Sequence, residues 1–88
     1  MSADELPLLE ALLDAFDRLF DRKTTVVDVR ALLFATARGL GDPAFVEDVA
    51  AAESALKAII KSGQGPAEAV EQALDAVDPL RRRIAAWL

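Results

Sequence analysis

An all-α fold is what this chain of 88 residues predicts: a compact antiparallel four-helix bundle, with the last helix kinked or split at Asp78-Pro79 into a short fifth helix. Three observations carry the prediction. Apolar residues recur at three-and-four spacing through four successive segments. Glycine and proline sit where those segments stop and start, at Gly39-Leu40-Gly41-Asp42-Pro43 and at Gly63-Gln64-Gly65-Pro66. The links are only a few residues long, which makes consecutive helices antiparallel neighbours. Residues 1–88 read as a single domain, large enough to bury roughly 60–65% of its unfolded surface.

The first segment opens on Ser2, Ala3, Asp4 and Glu5, an S-x-x-E capping pattern in which Asp4 is an alternative cap. Pro7 is tolerated only in a first turn, so the helix starts close by. Leu8, Leu9, Leu12, Leu13, Phe16, Leu19 and Phe20 then build one apolar face, and the helix reaches about Asp21. Opposite stand Glu10, Asp14, Asp17 and Asp21, whose spacings keep them within one narrow arc. Arg18 and Arg22 relieve that charge in part. Arg22 and Lys23 also suit the negative end of the helix dipole.

Thr25 followed by Asp28 is the expected cap of a second helix, VVDVRALLFATARGL, from Val26 to Leu40. Val26, Val29, Leu33, Ala37 and Leu40 share one stripe, with Leu32 and Thr36 beside it, and this is the side expected to face the core. Val27, Ala31 and Phe34, flanked by Arg30 and Arg38, project elsewhere. A bundle helix needs only about three apolar positions in seven, so this strip is surplus. Two arrangements account for it. Either the C-terminal segment folds over it, which a contiguous core favours, or Phe34 is exposed as a dimer seam or partner site.

Gly39 or Gly41 is expected to take a left-handed cap, Asp42 to cap the next helix and Pro43 to open it. That third helix runs from Ala44 to about Ser62 and buries Phe45, Val49, Ala52, Leu56, Ile59 and Ile60. Its charges run with the dipole, and Glu53 and Lys57 are placed to pair. The fourth helix offers Val70, Ala73, Leu74 and Val77 on one side. Glu68, Glu71, Asp75 and Asp78 form a second acidic stripe, with no basic residue between Gln64 and Asp78. The residue before a proline avoids the helical region, so Asp78-Pro79 marks the break. Leu80, Ile84, Trp87 and Leu88 stay in phase beyond it, and Arg82 is at pairing distance from Asp78.

Composition narrows function. A hydrophobic share of 53% excludes a disordered tail, while no run approaches the roughly 20 apolar residues of a membrane span. The N-terminal MSADELPLL lacks the features of a secretory signal, and a cytoplasmic location is expected. With 15 acidic against 10 basic side chains the net charge is −5, which disfavours nucleic acid. A helix-turn-helix reading fails for the same reason, since the third helix would present Glu47 and Asp48 to the phosphates. Arg81, Arg82 and Arg83 lie close to acidic residues and read as surface pairs.

Catalysis lacks its usual residues. There is no histidine, cysteine or tyrosine, and no hydroxyl has a base at a recognisable spacing. Gly63-Gln64-Gly65-Pro66 is not a phosphate-binding loop, and no metal-binding pattern occurs, so neither cofactor nor metal is expected. Size and acidity resemble acyl carrier proteins. That family attaches its arm to a serine directly after an aspartate at the start of the second helix. The nearest phrase here, Glu53-Ser54-Ala55-Leu56, falls in mid-helix, so the function is not carried over.

What remains is a binding protein with a basic protein partner. Small bacterial immunity proteins, which neutralise nuclease or other toxins, are similar in physical type. The expectation is an immunity or antitoxin-type inhibitor acting by charge complementarity. Its candidate binding residues are Glu10, Asp14, Asp17, Asp21, Val27, Phe34, Glu68, Glu71, Asp75 and Asp78. The alternative is a self-associating adaptor module that dimerises through the strip on helix two.

Overall fold

The computed structural model describes residues 5–88. Four helices account for them: α1 (Leu6–Phe20), α2 (Val26–Gly39), α3 (Pro43–Lys61) and α4 (Pro66–Trp87). Each helix packs against the next, α1 also packs against α4, and α2 with α3 forms the most extensive pair. The body measures 38 × 22 × 18 Å. No strand occurs among the described residues, and none of the helices is long and apolar enough to cross a membrane.

The predicted stripes build one contiguous core. Leu9, Leu12, Phe16 and Leu19 of α1 meet Val26, Val29 and Leu33 of α2, with Phe45, Val49 and Leu56 of α3 and Val77, Leu80 and Ile84 of α4. Four expected core residues stand outside it: Phe20, Ile60, Trp87 and Leu88 are all exposed. Each lies in the last turn of its helix or just beyond. The surplus strip is also uncovered. Val27 is 52% and Phe34 50% exposed, so the C-terminal segment does not fold over them.

Residues 66–87 form one helix, and the short fifth helix is not seen. Pro79 leaves the Asp75 carbonyl without its helical donor, at a cost of about 3 kcal/mol. Against this, Ala73, Val77, Leu80 and Ile84 fall on a single buried stripe. Burying Leu80 and Ile84 contributes about 1.5–3 kcal/mol each, and that burial requires the helix to continue in phase. Arg83 adds a tie to α3, pairing with Asp48 and lying 4.7 Å from the Phe45 ring centroid. The expected Glu53–Lys57 pair gives way to another contact between helices, Arg30 to Glu53 at 2.9 Å.

The helix ends follow local chemistry, with two departures. Thr25 accepts from the Asp28 N–H at 3.1 Å, and Asp42 from the Ala44 N–H at 2.9 Å, each satisfying a donor that the first turn leaves free. The Ser2 or Asp4 cap lies outside the described residues. Neither Gly39 nor Gly41 is left-handed; Leu40 leaves α2 in an extended conformation instead. These glycines serve close approach. A Cβ on Gly39 would lie 3.0 Å from Leu8, and one on Gly41 would lie 2.9 Å from the Glu5 carboxylate, which accepts the Gly41 N–H at 2.6 Å.

The second departure ends α1. Lys23 N–H donates to the Arg18 carbonyl at 2.7 Å and Arg22 N–H to that of Leu19 at 3.1 Å, the paired bonds of a Schellman motif. The left-handed position this motif requires is held by Arg22, at φ 62°, rather than by a glycine. Its guanidinium folds back to donate to the Phe20 carbonyl at 3.0 Å.

Candidate functional site

Packing α1 against α4 brings Asp17 of the first acidic stripe opposite Glu71, Asp75 and Asp78 of the second across one open groove of about 610 Å³. Half-buried Leu74 forms its apolar floor, with the almost fully buried Phe16 and Val77 beneath. Asp17 and Phe20 come from α1, Glu71, Asp75 and Asp78 from α4, and Arg81 from the turn beyond. The spacing of the α4 carboxylates explains their alignment: four and then three residues bring each back to the same edge, over roughly 10 Å of helix axis. Phe20 is 69% exposed, the largest exposure among the bulky apolar side chains described.

Charge is distributed unevenly along this groove. Asp78 accepts a hydrogen bond from Arg81 and forms an ion pair with Arg82, each at 2.8 Å. The hydrogen bond from Arg81 holds the Asp78 carboxyl below its ordinary value of 3.8; partial desolvation opposes this, and the charges of Arg82 and Arg81 reinforce it. Asp17, Glu71 and Asp75 have no cation within ion-pair distance among the described residues. Nor do the described residues include any acidic cluster tight enough to hold a metal ion. Carboxylates spread along a trough with an apolar floor suit a cationic chain better than a point charge.

The remaining predicted residues disperse. Asp14 lines a separate cleft between α1 and α2 with Arg18, Thr24 and Asp28. Glu10, Asp21 and Glu68 are exposed but line neither groove. Val27 belongs to an apolar groove of about 520 Å³, formed with Ile59, Ile60, Pro66 and Val70 where the first and third links approach. Phe34 lies under Arg38, whose guanidinium is 5.4 Å from the ring centroid. Of the ten predicted residues, the acidic groove therefore holds four, Asp17, Glu71, Asp75 and Asp78, the apolar strip on α2 holds Val27 and Phe34, and Glu10, Asp14, Asp21 and Glu68 belong to neither.

Phe20 is the residue that sequence reasoning missed. Its phase with Phe16 assigns it to the core. The signal against that was its position as the last apolar residue before Asp21-Arg22-Lys23, where a helix has no further turn to hold a neighbour over it. No protein-family model, curated protein or solved structure matches this chain.

Proposed function

We propose that this chain is a small acidic protein-binding domain rather than an enzyme. In this reading it is an inhibitor of the immunity or antitoxin type, working in the bacterial cytoplasm and neutralising a basic partner through the groove between α1 and α4. The observation that carries the reading is the convergence of Asp17, Glu71 and Asp75, all without cations, around an apolar floor with Phe20 exposed beside it. Carboxylates on such a surface steer a cationic partner into encounter, and an exposed aromatic supplies contact area that excludes water.

The test is recovery of the partner from the native host at low salt, followed by association kinetics over a range of ionic strength. A basic protein whose association slows steeply as salt rises is the expected result. A neutral or acidic partner, or association indifferent to salt, refutes the reading.

A second reading is supported by the α2 strip, where Val27 and Phe34 are each about half exposed. In it the chain is a self-associating adaptor module with that strip as its seam. Sedimentation at high concentration distinguishes the two, because a wild-type monomer removes the second.

A further inference from the structure

Resting on the acidic-groove reading above, we infer that the groove's occupant is an amphipathic cationic helix of the partner, laid between α1 and α4 with its apolar face on Leu74 and Phe20. The walls decide the conformation. Both are helices, so apart from the Asp75 carbonyl freed by Pro79 their backbone groups are bonded internally and the groove offers no sheet edge to pair an extended chain. A ligand seated on an apolar floor must satisfy its own backbone, which a helix does. Glu71 and Asp75 stand one turn apart on one wall, and Asp17 faces them from the other. A helix carrying basic residues on both flanks of an apolar stripe meets all three.

Arg81 indicates where the occupant ends. It lines the groove and already donates to Asp78 at 2.8 Å, so a guanidinium from this chain occupies the position a partner's cation would take. The occupant's cations therefore pair with Asp17, Glu71 and Asp75, and Arg81 repels any that approach Asp78. Removing Arg81 takes one repelling cation out of the groove and leaves Asp78 paired with Arg82 alone.

The probe is a fluorescently labelled amphipathic peptide, about 15 residues long to sit near the lower limit of an isolated helix, with lysines on both flanks of a leucine stripe. A scrambled isomer of equal charge is the control. At low salt the amphipathic peptide is expected to bind the full chain at least roughly tenfold tighter than the isomer and to gain helicity on binding. Glu71→Gln with Asp75→Asn, and separately Phe20→Ser, weaken it by roughly tenfold. Glu47→Gln, which removes an exposed carboxylate on α3, leaves it unchanged. Arg81→Ala is the variant that loss of folding cannot mimic, since it tightens binding by roughly threefold. Equal, salt-sensitive binding of both peptides overturns the helical occupant and spares the basic-partner reading. Binding of neither overturns both. Weaker binding to Arg81→Ala overturns the assignment of Arg81.

Discussion

Replacing Phe34 by arginine separates a surface role for the α2 strip from a core role, and the structure sets the scale of the effect. Burying a phenylalanine side chain completely contributes about 1.5–3 kcal/mol. Phe34 is 50% exposed, so about half of that is at stake. The contact with the Arg38 guanidinium, at 5.4 Å, adds about 0.5–1 kcal/mol at an exposed site. A new cation four residues from both Arg30 and Arg38 costs a few tenths of a kcal/mol for each pair. The total is about 2 kcal/mol, against the roughly 4–13 kcal/mol that 0.05–0.15 kcal/mol per residue gives a domain of this length. Phe34→Arg therefore folds. Far-ultraviolet circular dichroism should show an unchanged helical spectrum and a cooperative melt lowered by about 10 °C. Sedimentation of the same sample then reports whether the strip mediates association. By contrast Phe16, 1% exposed, should cost about 3–5 kcal/mol on truncation to alanine. A Phe34→Arg chain without a cooperative transition would refute the placement of Phe34 on the surface.

The other predictions concern the helix ends and the groove. Arg22→Gly should stabilise the domain by about 0.5–1 kcal/mol in urea melts, because relief of a left-handed non-glycine residue exceeds the added chain entropy; a loss of stability would contradict the Schellman geometry. Pro79→Ala should stabilise by about 1–2 kcal/mol, since it restores the donor to the Asp75 carbonyl while giving back some unfolded-state entropy; destabilisation would mean that the proline's geometry is needed for packing. Asp78 should titrate below 3.8 by carboxyl-carbon NMR; as its folded value lies under the unfolded one, its contribution is present above about 3.8 and is lost as pH falls through the folded value. In Arg81→Ala that midpoint should rise toward the ordinary value, and an unmoved midpoint would deny Arg81 its leading part. Raising salt should stabilise the free domain by screening Asp17, Glu71 and Asp75 while weakening any complex with a cationic helix, and parallel responses would count against the groove.

The fold was legible wherever one residue type has one physical use. Helical spacing located Leu9, Leu12, Phe16, Val49, Leu56 and Val77 in the core, because a stripe at that period has no other way to leave water. Thr25 and Asp42 were readable as caps for a similar reason, since a short oxygen-bearing side chain before a helix meets the free donors there. Legibility failed where the outcome depends on a neighbour distant in sequence. Gly39 and Gly41 looked like left-handed caps, yet what fixes them is the proximity of Leu8 and Glu5, more than thirty residues upstream. Glu53 had an acceptable local partner in Lys57 and pairs instead with Arg30. The groove was half legible. Both acidic stripes can be read from spacing, but that Asp17 alone of the first stripe faces the second depends on how α1 lies beside α4, as does the exposure of Phe20.

The two clearest breaches of local backbone preference lie near residues of that groove in sequence, while Arg22 and Pro79 themselves line neighbouring clefts. Arg22 holds a left-handed conformation two residues after Phe20, and Pro79 interrupts the ladder of α4 directly after Asp78. Neither is required by the core, since a glycine would end α1 with the same hydrogen bonds and an alanine would continue α4 in the same phase. Natural sequences concentrate such exceptions at functional sites. Ending α1 at Phe20 keeps that ring out of the core, and the Arg22 guanidinium on the Phe20 carbonyl holds the turn that does so. At the other end, Pro79 directly follows Asp78, whose pair with Arg81 stands at that end of the groove. Three carboxylates without cations beside an exposed aromatic are the features on which the proposed binding surface rests.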